Sequence, residues 1–442
     1  MLRAAMMPAD ALRRLPSSRA DGAACSAWLE QRISEKPVGH FVRGRHGAEA
    51  RRPAAGARRV WSMITFGYEL TMLKLHMRVL QPVVSGFFVA ESTSTFANIN
   101  TRHLEPNKPA LLSEAIANNS FPSDLAAMTH VTVLTAEDAK RLCKHHALGG
   151  AAGCFEAVQY YAAMMRMLRV ATVGDLAILG DVDEIASPDV VRMLQTCAPW
   201  WGDDGELERD FVWYNASTPP RKYVLLAWEY KFGIHCFPDD KNSGRAPVAS
   251  WRHGPQVFSV SWLMAESQNN LTKVTGIRDE RVHGLHSRHY PVVREAAWHL
   301  TSFGGADELQ RKLKTWGHAD MFNEARMPGV LDRDRLERCA RYCLSPLGFM
   351  DPMLSMPSAR RSQLEAQFRQ RYGNGGRLPA PPCEGRDGVF DSRLPGSVLT
   401  AADFRSERVT RWFPSYLLEH RAKFSSYFQF LTPKQNRSRS ET

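Results

Sequence analysis

The stretch LAILGDVDEIASPDVVRMLQ, residues 176–195, sets four apolar residues, a glycine and three carboxylates in a row and then opens a new helix. A short apolar run that stops at acids reads as a buried strand reaching a polar rim. Ser187, Pro188 and Asp189 then provide a hydroxyl cap, a proline at the first helical position and an acid in the first turn. Asp181, Asp183 and Glu184 are therefore expected in a short loop between strand and helix. In an open α/β sheet, ligands gather outside the carboxyl ends of strands, because loops and helix N-termini converge there.

The flanking sequence repeats the alternation. WSMITFGYELTMLKLHMRVLQPVVSGFFVAEST, starting at Trp61, reads as a short strand, an amphipathic helix and an apolar strand ending at Glu91, a βαβ unit. Leu70, Leu73, Met77 and Leu80 recur at helical spacing, and Pro82 stops the helix. HVTVLT at 130–135 alternates like a strand, and FEAVQYYAAMMRMLRVA reads as a second helix feeding the strand at 176–179. Its Met164, Met165 and Met167 read as core packing. Beyond residue 210, FVWYNAS, KYVLLAWEY and PQVFSVSWLM read as strands, and GADELQRKLKTWGH as a charged helix. The expected class is α/β, with a mostly parallel central sheet flanked by helices, and no internal repeat is visible.

The formal charge of +11 invites a nucleic-acid partner, but residues 1–60 hold twelve Arg/Lys against five Asp/Glu, or +7, leaving +4 for the other 382 residues. A nucleic-acid reader needs basic residues clustered among aromatics on a folded face, and no such cluster follows residue 60. With 44% hydrophobic and 23% charged residues the chain falls in the soluble globular class. No run of 18 apolar residues suits a transmembrane helix, and no compact apolar segment follows Met1 as a signal peptide requires. Residues 1–60 read as a basic leader, either a transit peptide or a disordered arm. Residues 61–345 read as the main folded domain, 346–410 as a loose insertion or linker, 411–430 as a closing helix of that domain and 431–442 as a tail. The eight cysteines form no CxxC pair and leave the compartment open. N-x-S/T sequons at Asn118, Asn215, Asn270 and Asn436 would permit glycosylation in a secretory lumen and also arise by chance.

Two aspartates spaced i and i+2 can point at one hard cation, and a divalent ion there can carry the diphosphate of a nucleotide donor. Solvated loop acids are the plainer alternative. Spacing alone decides nothing, since 22 aspartates in 442 residues give about one such pair by chance. A second pair, Asp332 and Asp334 in LDRDRLERCARY, sits in a charged helical stretch and reads as a solvated face. HGLHSRH, with His283, His286 and His289, matches no standard zinc spacing and reads as a polar loop.

GDLAILGDVDEIASP, FGYELTMLKLHMRVL, FFVAESTSTF, AAWHLTSFGGADELQRKLKTWGHADMFNE and FPSYLLEHRAKFSSYF together resemble, in order and spacing, the signature blocks of glycosyltransferase family 17. The resemblance covers about residues 61–430 without 346–410. It implies a GT-A-like nucleotide-diphosphosugar transferase fold, UDP-N-acetylglucosamine as donor, a divalent metal of the manganese type, inversion at the sugar carbon, and transfer to a mannose of an N-glycan through a β-1,4 linkage. The partners it implies are the nucleotide sugar and a glycan or glycoprotein acceptor, and the compartment is the Golgi lumen. A catalytically inactive glycan-binding protein of the same fold is the alternative, and a phosphate-handling metal hydrolase lacks a nucleophile signature. The family usually has Gln-Arg where this chain has Gln159 and Tyr160, so one donor-phosphate arginine is replaced; Arg166 and Arg169 lie nearby in sequence.

An inverting transfer needs a base for the acceptor hydroxyl and a cation for the departing diphosphate. Asp181, Asp183 and His299 are the expected metal ligands. Asp181, Glu91, Glu69 and Gln159 are the expected donor contacts, although Glu91 also suits a strand-terminating surface acid and Glu69 the helix dipole. Asp320 is the expected base, with Glu295 and Glu229 behind it, and Glu184 a second catalytic carboxylate or a helix cap. Trp298, Trp316 and His318 are the expected acceptor contacts, tryptophan being suited to stacking on sugar and equally to a core.

Overall fold

The computed structural model describes residues 32–35, 41–43, 58–94, 109–143, 151–197, 211–213, 222–231, 236–237, 254–267, 291–315, 324, 327–341, 383, 397–398 and 413–428. Its strands, in chain order, are β1 (Ile33–Glu35), β2 (Phe41–Arg43), β3 (Val60–Phe66), β4 (Gly86–Ser92), β5 (Thr129–Leu134), β6 (Leu176–Asp181), β7 (Glu184–Ala186), β8 (Phe211–Trp213), β9 (Lys222–Lys231), β10 (Cys236–Phe237), β11 (Gln256–Ser259), β12 (Val292–Thr301) and β13 (Ser397–Val398). One sheet runs β1-β12-β9-β11-β6-β3-β4-β5, with β7 paired onto β12. Strands β3, β4, β5, β6, β9 and β12 point one way, and β1, β7 and β11 run against them. The sheet is mixed and mostly parallel, packed against helices, as the alternating pattern predicts.

The βαβ unit at its centre follows from the sequence. β3 and β4 are parallel and buried along their whole lengths, which is why they read as continuous apolar runs rather than alternating ones. Helix α1 (Leu70–Leu80) buries Met72, Leu73, Leu75, Met77, Val79 and Leu80 and shares one core with Ile64, Phe87 and Val89. On the opposite sheet face Met63, Phe88 and Ala90 pack with Tyr160, Met164 and Met167 from the helix Ala151–Leu168, here α3. Between them in the chain, α2 (Leu111–Ala117) starts against Glu91, whose oxygens accept the backbone N–H groups of Leu112 at 2.9 Å and Ser113 at 3.2 Å.

Four differences from the sequence reading have physical causes. The run VSWLM is the start of a helix, Val260–Ser267, rather than the end of a strand; Phe258 and Trp262, four residues apart, stack at 5.8 Å, and an apolar run buried in either form hides its period. Strand β12 carries no readable alternation because a register shift falls between Val293 and Ala297, where Glu295 has φ 51° and its carboxylate pairs with Arg32 at 2.8 Å. Glu184 is the first residue of β7 rather than part of a loop, so the acidic turn is only Val182 and Asp183. Residues 33–35, within the expected leader, add β1 to the sheet edge.

The segment after Phe413 forms a short helix, α7 (Ser415–Glu419), and a 3-10 turn, Arg421–Tyr427, that bury Leu417, Phe424 and Tyr427 in the core shared with α1. Tyr427 meets Phe303 edge-on at 5.2 Å, and Phe413 meets Tyr230 at 4.8 Å. Helices α5 (Ala306–Thr315) and α6 (Arg333–Arg341) follow β12, the latter with Asp332 at its start accepting the Arg335 N–H at 2.7 Å. Asp332 and Asp334 are exposed, as a solvated face requires. Cysteines 339 and 383 form a disulfide with Cα atoms 4.9 Å apart across 44 residues of chain, and Cys236 is also disulfide-bonded. The scattered spacing of the cysteines gave no sign of either bond.

A crosslink closing a loop of that length stabilises by about 4 kcal/mol in the chain-entropy model. Cys339→Ala is therefore expected to lower unfolding free energy by that order, measured by urea denaturation without reductant, and reductant, which also opens the Cys236 bond, is expected to lower the parent chain at least as far.

Candidate active site: an acidic turn closed by a lysine

The turn Val182–Asp183 links β6, in the middle of the sheet, to β7, which lies against β12. The chain changes neighbours there, and its backbone is tied on every side. The Asp181 N–H donates to Glu184 Oε2 at 3.1 Å, His76 Nδ1 meets the Val182 carbonyl oxygen at 3.0 Å, and the Leu300 N–H donates to the Asp183 carbonyl at 2.8 Å. Gly180 sits under this crossing, where a Cβ would come within 3.2 Å of the Glu184 carbonyl oxygen and of Pro255.

The two aspartates are held by different partners. Asp181 Oδ1 accepts from Thr65 Oγ1 of β3 at 2.6 Å and from the Tyr160 hydroxyl of α3. Tyr160 is the residue that stands where the resemblance expects arginine. Asp183 Oδ2 accepts from Lys312 Nζ of α5 at 2.8 Å and lies 3.8 Å from His299 Nε2. Lys312 Nζ also donates to Thr301 Oγ1 at 2.9 Å. Burial pushes the Asp183 carboxyl up, but the charges of Lys312 and His299 and the lysine hydrogen bond outweigh it and hold the group well below the usual carboxylate range. The same pair, aided by Glu69 and Asp181, keeps the Lys312 ammonium above its ordinary value against burial.

A pocket opens beside this pair, lined by Glu69, Met72, Asp183, Leu300, Ser302, Phe303, Glu308 and Lys312. Ser302 has φ 60°, Gly304 φ 112° and Gly305 φ 87°, so the turn from β12 into α5 is left-handed at three residues. A Cβ on Gly304 would strike Glu308 Cγ at 2.5 Å. Glu308 gives both oxygens to Arg311, at 2.9 and 3.1 Å. Burial, with Glu69 and Asp307 nearby, pushes its carboxyl up despite Arg311. Tyr427 packs edge-on against Phe303 of the lining, and its hydroxyl is pushed up by burial and then by Glu69, Glu308 and Asp183.

The other expected site residues are distributed as follows. Glu69 lines the pocket and precedes α1, its Oε2 accepting the Tyr68 N–H at 3.2 Å. Glu184 is buried opposite His299 in the β7–β12 pairing. Glu91 caps α2. Gln159 is buried on α3, with its Oε1 lacking a partner among the described residues. Trp298 is a core side chain, 8% exposed and tilted against Trp228 at 6.3 Å, and does not line the pocket. Trp316, His318 and Asp320 lie outside the described residues, as do His283, His286 and His289. Lys312, Thr301, His76, Thr65 and Glu308 were not visible as site residues in the sequence. The only local signal was the charged helix carrying Lys312 and Glu308.

The residues as they stand do not fit the divalent ion that the resemblance implies. Among the described residues no group of three or more His, Cys, Asp or Glu side chains is placed to hold a metal. The cation position on Asp183 is filled by Lys312, and a divalent ion on the same oxygen would lie about 3–4 Å from the ammonium, a repulsion on the order of 9 kcal/mol at an effective dielectric near 20 before anything moves.

The acids gather at the carboxyl ends of parallel strands, the place where ligands bind in open α/β folds. Residues 42–201 match the model of Glycosyltransferase family 17. The matched span runs from β2 past the helix Pro188–Cys197, here α4, and includes both aspartates of the turn. Comparison with curated proteins finds no match. Among the described residues no helix is long and apolar enough to cross a membrane.

His76 gives a pH signature for the turn. It is buried, and burial lowers its pKa to about 4, only partly offset by the Val182 carbonyl and Asp183. The neutral ring must carry its proton on Nδ1 to donate to that carbonyl. A depressed folded pKa contributes stability that is complete above about 6.5, the unfolded value, and is lost as pH falls toward 4. Unfolding free energy is expected to drop by about 3 kcal/mol across that window from this group, and His76→Gln is expected to remove that slope in denaturation curves taken at successive pH values.

Proposed function

We propose that this chain is an inverting glycosyltransferase of the GT-A type that moves N-acetylglucosamine from UDP-N-acetylglucosamine to a mannose of an N-glycan through a β-1,4 linkage. The observation that carries the reading is the Asp181–Asp183 turn, held at the sheet rim beside a pocket and lying inside the family 17 match. In such a transfer the acceptor oxygen attacks the anomeric carbon, the bond from that carbon to the β-phosphate oxygen breaks, and its electron pair leaves with UDP. The acceptor proton passes to a carboxylate. Glu308 lines the pocket, and burial pushes its carboxyl up, so it holds a proton more readily than an exposed carboxylate and is the pocket group proposed to accept it. Asp181, Glu184 and Glu69 serve the donor side, and Trp316, His318 and Asp320 remain assigned to acceptor contact and proton transfer by resemblance.

A secretory lumen, the Golgi in particular, is the proposed compartment. The Cys339–Cys383 disulfide supports it, because such bonds persist in oxidising environments. One observation favours the second reading, a glycan-binding protein without turnover: Tyr160 puts a neutral phenol on Asp181 where the family carries a cation.

Asp183→Asn is expected to reduce sugar transfer by about a hundredfold or more, the scale of losing one aligned electrostatic group, and to lower unfolding free energy by about 3 kcal/mol because the Lys312 ammonium loses its partner, with circular dichroism checking that the variant is still folded at the assay temperature. UDP release is the readout, with an N-glycan acceptor. Thermal protection of the parent chain by UDP-N-acetylglucosamine without any release would favour the binding protein, and neither protection nor release would end both readings.

A further inference from the structure

The Lys312 ammonium has three N–H donors. Asp183 and Thr301 take two, at 2.8 and 2.9 Å, and the third has no protein acceptor among the described residues. The side chain is 23% exposed and lines the pocket with Glu69, Ser302 and Glu308. Its position is set by a rigid base: Leu309 and Leu313 bury the same helix in the core, and Thr301 anchors the ammonium from the end of β12. Glu308 is matched by Arg311 on both oxygens, so Glu69 is the pocket carboxylate left to balance.

We propose that Lys312 is the resident cation of the donor site, giving its third N–H to the donor diphosphate in the place a divalent ion would otherwise take on Asp183. This rests on the nucleotide-sugar reading above. Lys312 keeps its proton throughout. As the bond between the anomeric carbon and the phosphate oxygen breaks, the electron pair stays on that oxygen and the ammonium meets the added charge, while the acceptor proton goes to a carboxylate. Asp183 then acts by aiming the lysine, and His299, 3.8 Å from the same oxygen, adds a second nitrogen on that side. A charged donor in a partly dry pocket forms a short, strong bond to a phosphate oxygen.

The test is calorimetric titration of the full chain with UDP, in EDTA and in manganese, for the parent, Lys312→Met and Lys312→Arg, with circular dichroism on each. Binding of UDP in EDTA within about threefold of its affinity in manganese is expected, since one ammonium replaces the ion's attraction. Lys312→Met is expected to weaken binding in EDTA by about tenfold or more, the scale of one charge-assisted hydrogen bond, and Lys312→Arg to restore part of it. UDP bound only in manganese would overturn the proposal and leave the transferase reading standing, and this arm needs no variant to fold. Undiminished binding by a folded Lys312→Met in EDTA would also overturn it. No binding of UDP in either buffer would instead remove the transferase reading, and this proposal with it.

Discussion

The contact between Asp183 and Lys312 joins residues 129 apart in sequence and brings a turn from the middle of the sheet against a helix that follows its far strand. Two opposite charges in a mostly buried place are stable only together, because either one alone would keep the cost of leaving water without the compensating attraction. The pair therefore fixes where α5 sits on β12 and which way the turn faces. The pocket lined by Glu69, Glu308 and Lys312 exists because that arrangement holds. The backbone bonds from Asp181, His76 and Leu300 serve the same end, leaving the turn no free carbonyl through which to relax.

Local chemistry around the pocket agrees with that constraint. Ser302 and Gly304 adopt left-handed backbone where the chain must reverse from β12 into α5, and Gly304 leaves room for Glu308 to fold back on the turn. A non-glycine residue in that region is sustained by its surroundings, and such positions concentrate at functional sites. The pocket draws on α1, the acidic turn, β12 and α5, and the closing segment packs Tyr427 behind Phe303 of the lining.

Tyr160 defines how this chain differs from the family it resembles. Its hydroxyl keeps the hydrogen bond to Asp181 that anchors the turn to α3, yet it carries no charge. Arg166 and Arg169 are exposed on the same helix and its end. The positive charge near the acids comes instead from Lys312, on the opposite side of the turn. That shift of charge from α3 to α5 gives the acidic turn a different electrostatic centre from the one the sequence resemblance implies.

Much of the scaffold was legible in the sequence, because it depends on rules that act over a few residues. The apolar run at 176–179, the helical spacing of Leu70, Leu73, Met77 and Leu80, and the cap at Ser187 with Pro188 each declare an element through its own period and termini. The acids at 181, 183 and 184 were likewise placed at a strand end by the local pattern. Lys312, Thr301 and His76 declared nothing, since a lysine on a charged helix, a threonine at a strand end and a histidine on an apolar face look alike whether or not a distant carboxylate or carbonyl awaits them. Strand β12 hid behind its bulge, and the disulfide behind 44 residues of spacing. Sequence alone determined the alternating α/β plan and the presence of acids at its rim; tertiary structure alone decided which cation meets them, because that choice depends on distances closed only when remote segments pack together.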